Sequence, residues 1–180
     1  MSELSVATIL IGLLALAAGG ISILAPARVQ RGLTAFPRSV WPGRILAAVD
    51  LVWAAYGLTL LHLGMMDAWK VHLYWLTPVA IFLCIKYLDE LLSPRALGGF
   101  LLLAAGPVLD AARWNPSGWR LIVTVIAYLW IGFGLLLLLS PWWFRRIVLL
   151  ATKNRSALRV GGAVKLFAGI GLLLLALLVY

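Results

Sequence analysis

Residues 120–180 read RLIVTVIAYLWIGFGLLLLLSPWWFRRIVLLATKNRSALRVGGAVKLFAGIGLLLLALLVY. Two long apolar runs in this stretch flank a short segment that opens at Pro141 and carries arginine and lysine. An α-helix needs about 20 apolar residues to cross the hydrocarbon core of a bilayer. The stretch therefore predicts two membrane-spanning helices joined by a basic segment.

The composition of the whole chain agrees with this prediction. Of its 180 residues, 64% are hydrophobic and only 12% are charged, and the mean hydropathy is +1.05. Soluble domains are about half apolar and about a quarter charged. With a single cysteine, the chain also lacks the framework of a disulfide-rich secreted module. We predict an all-α integral membrane protein that forms a single membrane domain over residues 1–180.

Six stretches of the chain are candidates for membrane spans. The fourth is interrupted by Pro107 and Asp110, but we count it because the loop charges fall into order only with six spans. The predicted spans are roughly 5–25, 45–64, 71–88, 95–112, 120–140 and 160–179.

The net charge of +9 is distributed unevenly between the two sides of this six-span arrangement. Twelve of the 15 lysines and arginines lie on one side, and only Lys70, Arg113 and Arg120 lie on the other. Because cytoplasmic loops are enriched in lysine and arginine, both termini are predicted outside the cytoplasm. We expect a multi-pass protein of the bacterial cytoplasmic (inner) membrane. Its basic residues would face anionic lipids, and we expect no nucleic-acid partner.

An internal repeat relates the two ends of the chain. A shift of 115 residues without gaps superposes Pro26 on Pro141 and Arg44 on Arg159. The same shift also aligns Gly19 with Gly134, Arg31 with Arg146, Ala48-Val49 with Ala163-Val164, and Leu51 with Leu166. We predict parallel two-helix repeats, 1–67 and 116–180, around a central hairpin, 68–115.

The segment between the two helices of each repeat is basic and amphipathic. We expect these segments to lie in the membrane interface, with Pro37 and Pro42 ending the first one. A plain connector between spans is the alternative. The residues predicted to bind lipid headgroups are Arg28, Arg31, Arg44, Arg145, Arg146, Lys153 and Arg159.

The C-terminal repeat resembles a known family. The turn Pro141-Trp142-Trp143-Phe144-Arg145-Arg146, followed by Asn154, Leu158-Arg159, Gly161-Gly162 and Gly169, is similar to small two-helix bacterial inner-membrane proteins of uncharacterised function. The likeness covers roughly 50 residues at the C-terminus and, more faintly, a similar length at the N-terminus. It implies two helices joined by a basic segment, and the central hairpin has no counterpart in that pattern.

Two charged residues lie inside predicted spans. Asp50 and Lys165 are equivalent in the repeat, and each follows its arginine by six residues, roughly 9 Å along a helix. Since an isolated charge inside a bilayer is costly, we predict an intramembrane ion pair between them. Two alternatives stay open: Asp50 as a proton or cation relay, and a Lys165 side chain that extends to the headgroups.

His62 and His72 flank the short loop between the second and third predicted spans. Together they are possible ligands for a haem or a chlorophyll-type pigment, with aromatic residues nearby. Interfacial histidines are more often plain polar anchors, and we otherwise expect no cofactor and no metal.

The sequence contains no motif of nucleotide-binding, metalloprotease, thiol-redox or serine-hydrolase chemistry. We therefore expect a protein that is not an enzyme. The leading interpretation is a non-catalytic membrane subunit or scaffold that packs in a larger complex, with itself or against lipids. The alternatives are a small transporter or channel with Asp50 as coupling residue, and a haem- or pigment-binding subunit of an electron-transfer complex.

Overall fold

A computed structural model of the protein describes residues 2–62, 64–87 and 91–180. Those residues form helices and no strand, which confirms the all-α prediction. Two 3-10 helices, Phe36–Arg38 and Gly64–His72, precede α3 and α4. The α-helices are α1 (Glu3–Leu24), α2 (Pro26–Ala35), α3 (Val40–Leu60), α4 (Leu73–Tyr87), α5 (Leu92–Arg113), α6 (Arg120–Leu139), α7 (Trp142–Thr152) and α8 (Arg155–Leu178).

In the described part of the chain, six helices are long and apolar enough to cross a membrane, as predicted. The fourth is continuous through Pro107. The second and sixth begin earlier than expected, so that Arg44 and Arg159 lie within helices. Helices extend past an apolar run at little cost because arginine favours the helical state. The third of these consists of the last part of the second 3-10 helix and α4 together. The six helices cover Glu3–Leu24, Val40–Leu60, Asp67–Tyr87, Leu92–Arg113, Arg120–Leu139 and Arg155–Leu178.

The two prolines of the first basic segment differ in their placement. Pro37 lies in the 3-10 turn that follows α2, where it ends that helix as expected. Pro42 instead lies in the first turn of α3, so the prediction that it ends the preceding helix is wrong. A proline in a first turn removes no helical hydrogen bond, because the first N–H groups of a helix have no intrahelical acceptor.

Helices α1 and α8 pack closely and antiparallel through facing glycines. A Cβ atom on Gly19 would lie 2.7 Å from the carbonyl oxygen of Gly162, and one on Gly169 would lie 2.9 Å from that of Gly12. Small residues let transmembrane backbones approach, which is a common basis of helix association in bilayers. The α1–α8 interface therefore depends on these glycines.

Helix α5 is the central helix of the remaining group, since it packs against both α3 and α6. Its contact with α6 uses Gly98, where a Cβ atom would lie 2.6 Å from the carbonyl oxygen of Gly134. Its contact with α3 is parallel, and there the Ser93 hydroxyl donates a 2.5 Å hydrogen bond to the carbonyl of Ser39. Helix α4 lies outside, against α3.

One buried cluster joins the two groups of helices. It contains Leu4 and Ile11 of α1, Leu172 of α8, and residues of α5 and α6. The further buried members are Ala105, Val108, Ala112, Val123 and Ala127. This end of the molecule is thus a packed core of four helices, and it sets the relative positions of the two groups.

Candidate functional site

The Asp50 side chain lies in a notch between α3 and α5. The residue is only 9% exposed although it is acidic and sits in the middle of an apolar helix. Its Oδ2 atom faces Gly99 of α5, where a Cβ atom would lie only 2.9 Å away. The carboxylate therefore occupies space that is available only because residue 99 has no side chain.

One oxygen of this carboxylate has no hydrogen-bond partner among the described residues. Oδ1 of Asp50 is buried and makes no hydrogen bond with any residue that the structure describes. A buried acceptor without a partner costs free energy, and the cost is greater for a charged group. The notch can relieve this cost by taking up a proton or a small cation, which makes Asp50 the strongest candidate for intramembrane chemistry.

Two neighbouring helices carry further polar groups in the vicinity of Asp50. Cys84 of α4 packs against the small buried cluster of Ala47, Leu92 and Ala96, where α3 and α5 meet. Arg95 lies one helical turn before Gly99 on α5, and its buried Nε makes no hydrogen bond with the described residues. A thiol and a guanidinium group thus lie on the helices that surround the notch, and neither is bonded to Oδ1 of Asp50.

Lys165 does not lie beside Asp50. Its side chain is exposed on α8, which packs against α1, whereas the face of α3 that carries Asp50 packs against α5. Together with the unpartnered Oδ1 of Asp50, this placement means that the two groups form no ion pair in this structure. Equivalence in the sequence did not bring the two side chains together, because α5 occupies the face of α3 that a partner helix would need.

The predicted headgroup-binding residues lie on and around α2 and α7. We call these two helices, together with the 3-10 turn 36–38, the basic layer. The two helices pack antiparallel: the rings of Phe36 and Phe144 are 5.5 Å apart, and Nε2 of Gln30 donates a 3.1 Å hydrogen bond to the carbonyl of Thr152. Arg44 is half-buried at the start of α3. The exposed members are Arg28, Arg31, Arg145, Arg146, Lys153 and Arg159.

His62 and His72 are both exposed, at the end of α3 and the end of the second 3-10 helix. The imidazole of His72 lies against the Trp69 ring, with centroids 5.6 Å apart. No group of three or more His, Cys, Asp or Glu side chains suited to a metal occurs among the described residues. Pigment or haem ligation by the two histidines stays a prediction.

Sequence reasoning missed the surroundings of Asp50. Gly99, Arg95 and Cys84 are separated from it by 34 to 49 residues, and no local pattern connects them. The doublet Gly98-Gly99 was the available signal, because Gly98 packs on α6 while Gly99 faces α3. Arg38 of the basic layer was not among the predicted headgroup ligands either.

Comparisons with known proteins add no relative to this description. The resemblance of the C-terminal repeat to small two-helix membrane proteins therefore stays a prediction. No protein-family model, curated protein or solved structure matches the chain.

Proposed function

We propose that the protein is a non-catalytic integral membrane subunit, a helical scaffold that packs against lipids and against other membrane chains, itself included. The observation that carries this proposal is the isolation of α4. No residue of α4 is buried, and Trp75 is 79% exposed. Other large aromatic side chains on this helix, Tyr74, Phe82 and Tyr87, are exposed as well. Tyr, Trp and Phe are enriched in the cores of protein–protein interfaces.

The proposed location is the bacterial inner membrane, with both termini outside the cytoplasm. The basic layer supports this orientation, since its arginines are exposed at the end of the bundle where α3 and α8 begin. Lysine and arginine are enriched on the cytoplasmic side, and anionic lipid headgroups attract them there. Membrane lipids with anionic headgroups are accordingly proposed as partners.

The proposed internal repeat is supported by the helix bounds. Shifting the first unit by 115 residues places the end of α1, Leu24, on Leu139, where α6 ends. The same shift places the start of α3, Val40, on Arg155, where α8 starts. Two copies of one helix–basic segment–helix unit thus account for six of the eight α-helices among the described residues.

Helix contacts support the same repeat. If the two units are related by a two-fold axis, each contact between them should occur twice. The contact of Gly19 with Gly162, between α1 and α8, should then recur as a contact of Gly134 with Ala47, between α6 and α3. Both of these residues pack on α5 instead: Gly134 against Gly98, and Ala47 against Leu92 and Ala96. The central hairpin would therefore have entered the interface between α3 and α6.

Site-specific photo-cross-linking tests the scaffold proposal. A benzoyl-phenylalanine in place of Trp75 on α4 should form adducts with a protein, either a second copy or another membrane chain, identified by mass spectrometry. The same group in place of the exposed Val164 on α8 is the matched control and should react with lipid alone. Lipid adducts alone at both positions would contradict the proposal. A visible absorption band in the purified protein would instead favour the pigment-binding alternative.

The second candidate function is a small transporter or channel with Asp50 as the coupling residue. The unpartnered, buried Oδ1 in the notch against Gly99 favours it. Proton and cation flux into liposomes is the measurement, with Asp50→Asn as the test variant. Asp110→Asn is the control, because Asp110 is an exposed acid near the other end of α5. Flux that is abolished in Asp50→Asn alone would establish coupling, and no flux in the unmodified protein would exclude it for those ions.

A further inference from the structure

A cavity of about 620 Å³ opens in the basic layer between the end of α2 and the start of α7. Arg38 and Arg145 line it from opposite elements, the 3-10 turn and α7. Apolar side chains form much of the remaining wall, among them Pro37, Val148 and Leu149. Binding sites for small ligands commonly have about this volume, with a few polar groups set in an apolar lining.

The elements that carry the two arginines of this cavity contain no acidic residue. The sequence has no acidic residue in 4–49 or in 111–180, so none lies in α2, in the 3-10 turn or in α7. Neither guanidinium makes an ion pair or hydrogen bond with the residues that the structure describes. Two cationic groups from separate elements therefore converge on one cavity, and neither is paired with a residue that the structure describes.

At the opposite end of the α2–α7 contact, the two helices are joined directly. There the Gln30 amide donates to the carbonyl of Thr152 and joins the two helices. At the shift of 115 residues, Arg145 corresponds to Gln30, and Pro37 corresponds to Thr152. Both of these residues line the cavity instead. The guanidinium of Arg145 is thus left available to a ligand at the position where glutamine makes an internal bond.

The hydroxyl groups of the cavity are acceptors. Thr34 Oγ1 donates to the carbonyl of Gln30 at 2.9 Å, and Ser39 Oγ donates to that of Phe36 at 2.7 Å. Since each hydroxyl has one proton, both oxygens of these lining residues keep lone pairs that can accept a further hydrogen bond. A ligand with an anionic group for the arginines and hydroxyl donors for these oxygens matches the lining.

We propose that this cavity binds the headgroup of an anionic phospholipid, with the phosphate held by Arg38 and Arg145. Arginine presents planar N–H donors that fit phosphate oxygens, and a glycerol headgroup supplies the hydroxyl donors. Leu149 is 63% exposed beside the cavity and offers an apolar surface for the start of an acyl chain. The inference rests on the proposed contact with lipids and makes it specific to one site.

Native mass spectrometry of the purified protein with added phosphatidylglycerol tests this site. The unmodified protein should retain one phosphatidylglycerol molecule tightly, and Arg38→Gln/Arg145→Gln should weaken its binding on the order of tenfold or more, as the loss of charge-assisted bonds implies. The matched control is Lys86→Gln/Arg155→Gln. It removes the same charge from exposed residues of α4 and α8 that neither line the cavity nor belong to the predicted headgroup-binding set, and it should bind like the unmodified protein.

Several outcomes would overturn the proposal. Equal weakening in the two double variants would show diffuse attraction to basic residues, and equal retention of phosphatidylcholine would show that the anionic headgroup is not recognised. Displacement of the lipid by millimolar inorganic phosphate or glycerol 3-phosphate would identify a soluble anion as the ligand. Each of these results leaves the α4 cross-linking experiment unaffected, so failure of this site and failure of the scaffold proposal are distinguishable. Equal melting temperatures of all variants would show that they fold alike.

Discussion

The Oδ2 atom of Asp50 lies directly opposite Gly99, only 2.9 Å from the position that a Cβ atom would occupy there. The acid on α3 and the glycine on α5 are therefore complementary in shape, although they are far apart in the sequence. We expect Gly99→Ala to destabilise the protein by about 1–3 kcal/mol, as overpacking in a closed interface does. Thermal unfolding in mild detergent measures the effect.

Gly106→Ala is the control for that substitution, since Gly106 lies on the same helix and a Cβ atom there would meet nothing within 4 Å. The double variant Asp50→Ala/Gly99→Ala should recover part of the loss, because the smaller side chain at position 50 leaves room for the new methyl group. Equal unfolding temperatures for Gly99→Ala and Gly106→Ala would contradict the notch.

The contact between α1 and α8 provides a second prediction. Gly19→Ala places a methyl group 2.7 Å from a backbone oxygen of Gly162, which cannot move without separating the helices. We expect a loss of about 1–3 kcal/mol in stability. The neighbouring Gly20 faces open space, so Gly20→Ala should be neutral or stabilise the helix by about 0.5–1 kcal/mol. A loss of the same size at both positions would argue against this interface.

Lys165 provides a third prediction. Because the lysine is exposed on α8 and does not pair with Asp50, Lys165→Gln should change stability by no more than about 0.5 kcal/mol. The charge exchange Asp50→Lys/Lys165→Asp should be as unstable as Asp50→Lys alone. If the exchange restores the stability that Asp50→Lys removes, an Asp50–Lys165 ion pair forms in the membrane after all.

The basic layer provides a fourth prediction. Gln30→Leu removes the 3.1 Å hydrogen bond to the carbonyl of Thr152 and should cost about 0.5–1.5 kcal/mol. Amide hydrogen exchange should then accelerate in α2 and α7, while α1 and α8 keep their protection. Uniform acceleration across all helices would mean that the bond stabilises the whole bundle rather than the layer.

The orientation in the membrane provides a fifth prediction. Ser117 precedes α6, and Ser156 lies at the start of α8, so the two residues belong to opposite ends of the α6 span. In a Cys84→Ala background, an impermeant thiol reagent should label Ser117→Cys in intact cells and Ser156→Cys only after permeabilisation. Labelling of both from the same side would overturn the six-span arrangement.

Glycine shows where sequence reasoning reaches its limit. The sequence predicts that glycines in apolar spans support close packing, and Gly19, Gly134, Gly162 and Gly169 do lie against neighbouring helices. Gly20, Gly132, Gly161 and Gly171, which lie in the same apolar spans, meet nothing within 4 Å. Each group has the same local sequence character. The difference arises because only part of each helix surface meets a neighbour, and the position of that part depends on the other helices.

By itself, the amino-acid sequence determined the helical class, the six apolar segments and the placement of basic residues between them. These properties are local, because the length of an apolar run and the charge of the adjoining loop are read directly along the chain. Only the tertiary structure decided that α5 lies against α3 and α6, that Asp50 faces Gly99 rather than Lys165, and that Arg38 and Arg145 share one cavity. Those relationships join residues distant in sequence, and helix packing alone brings them together.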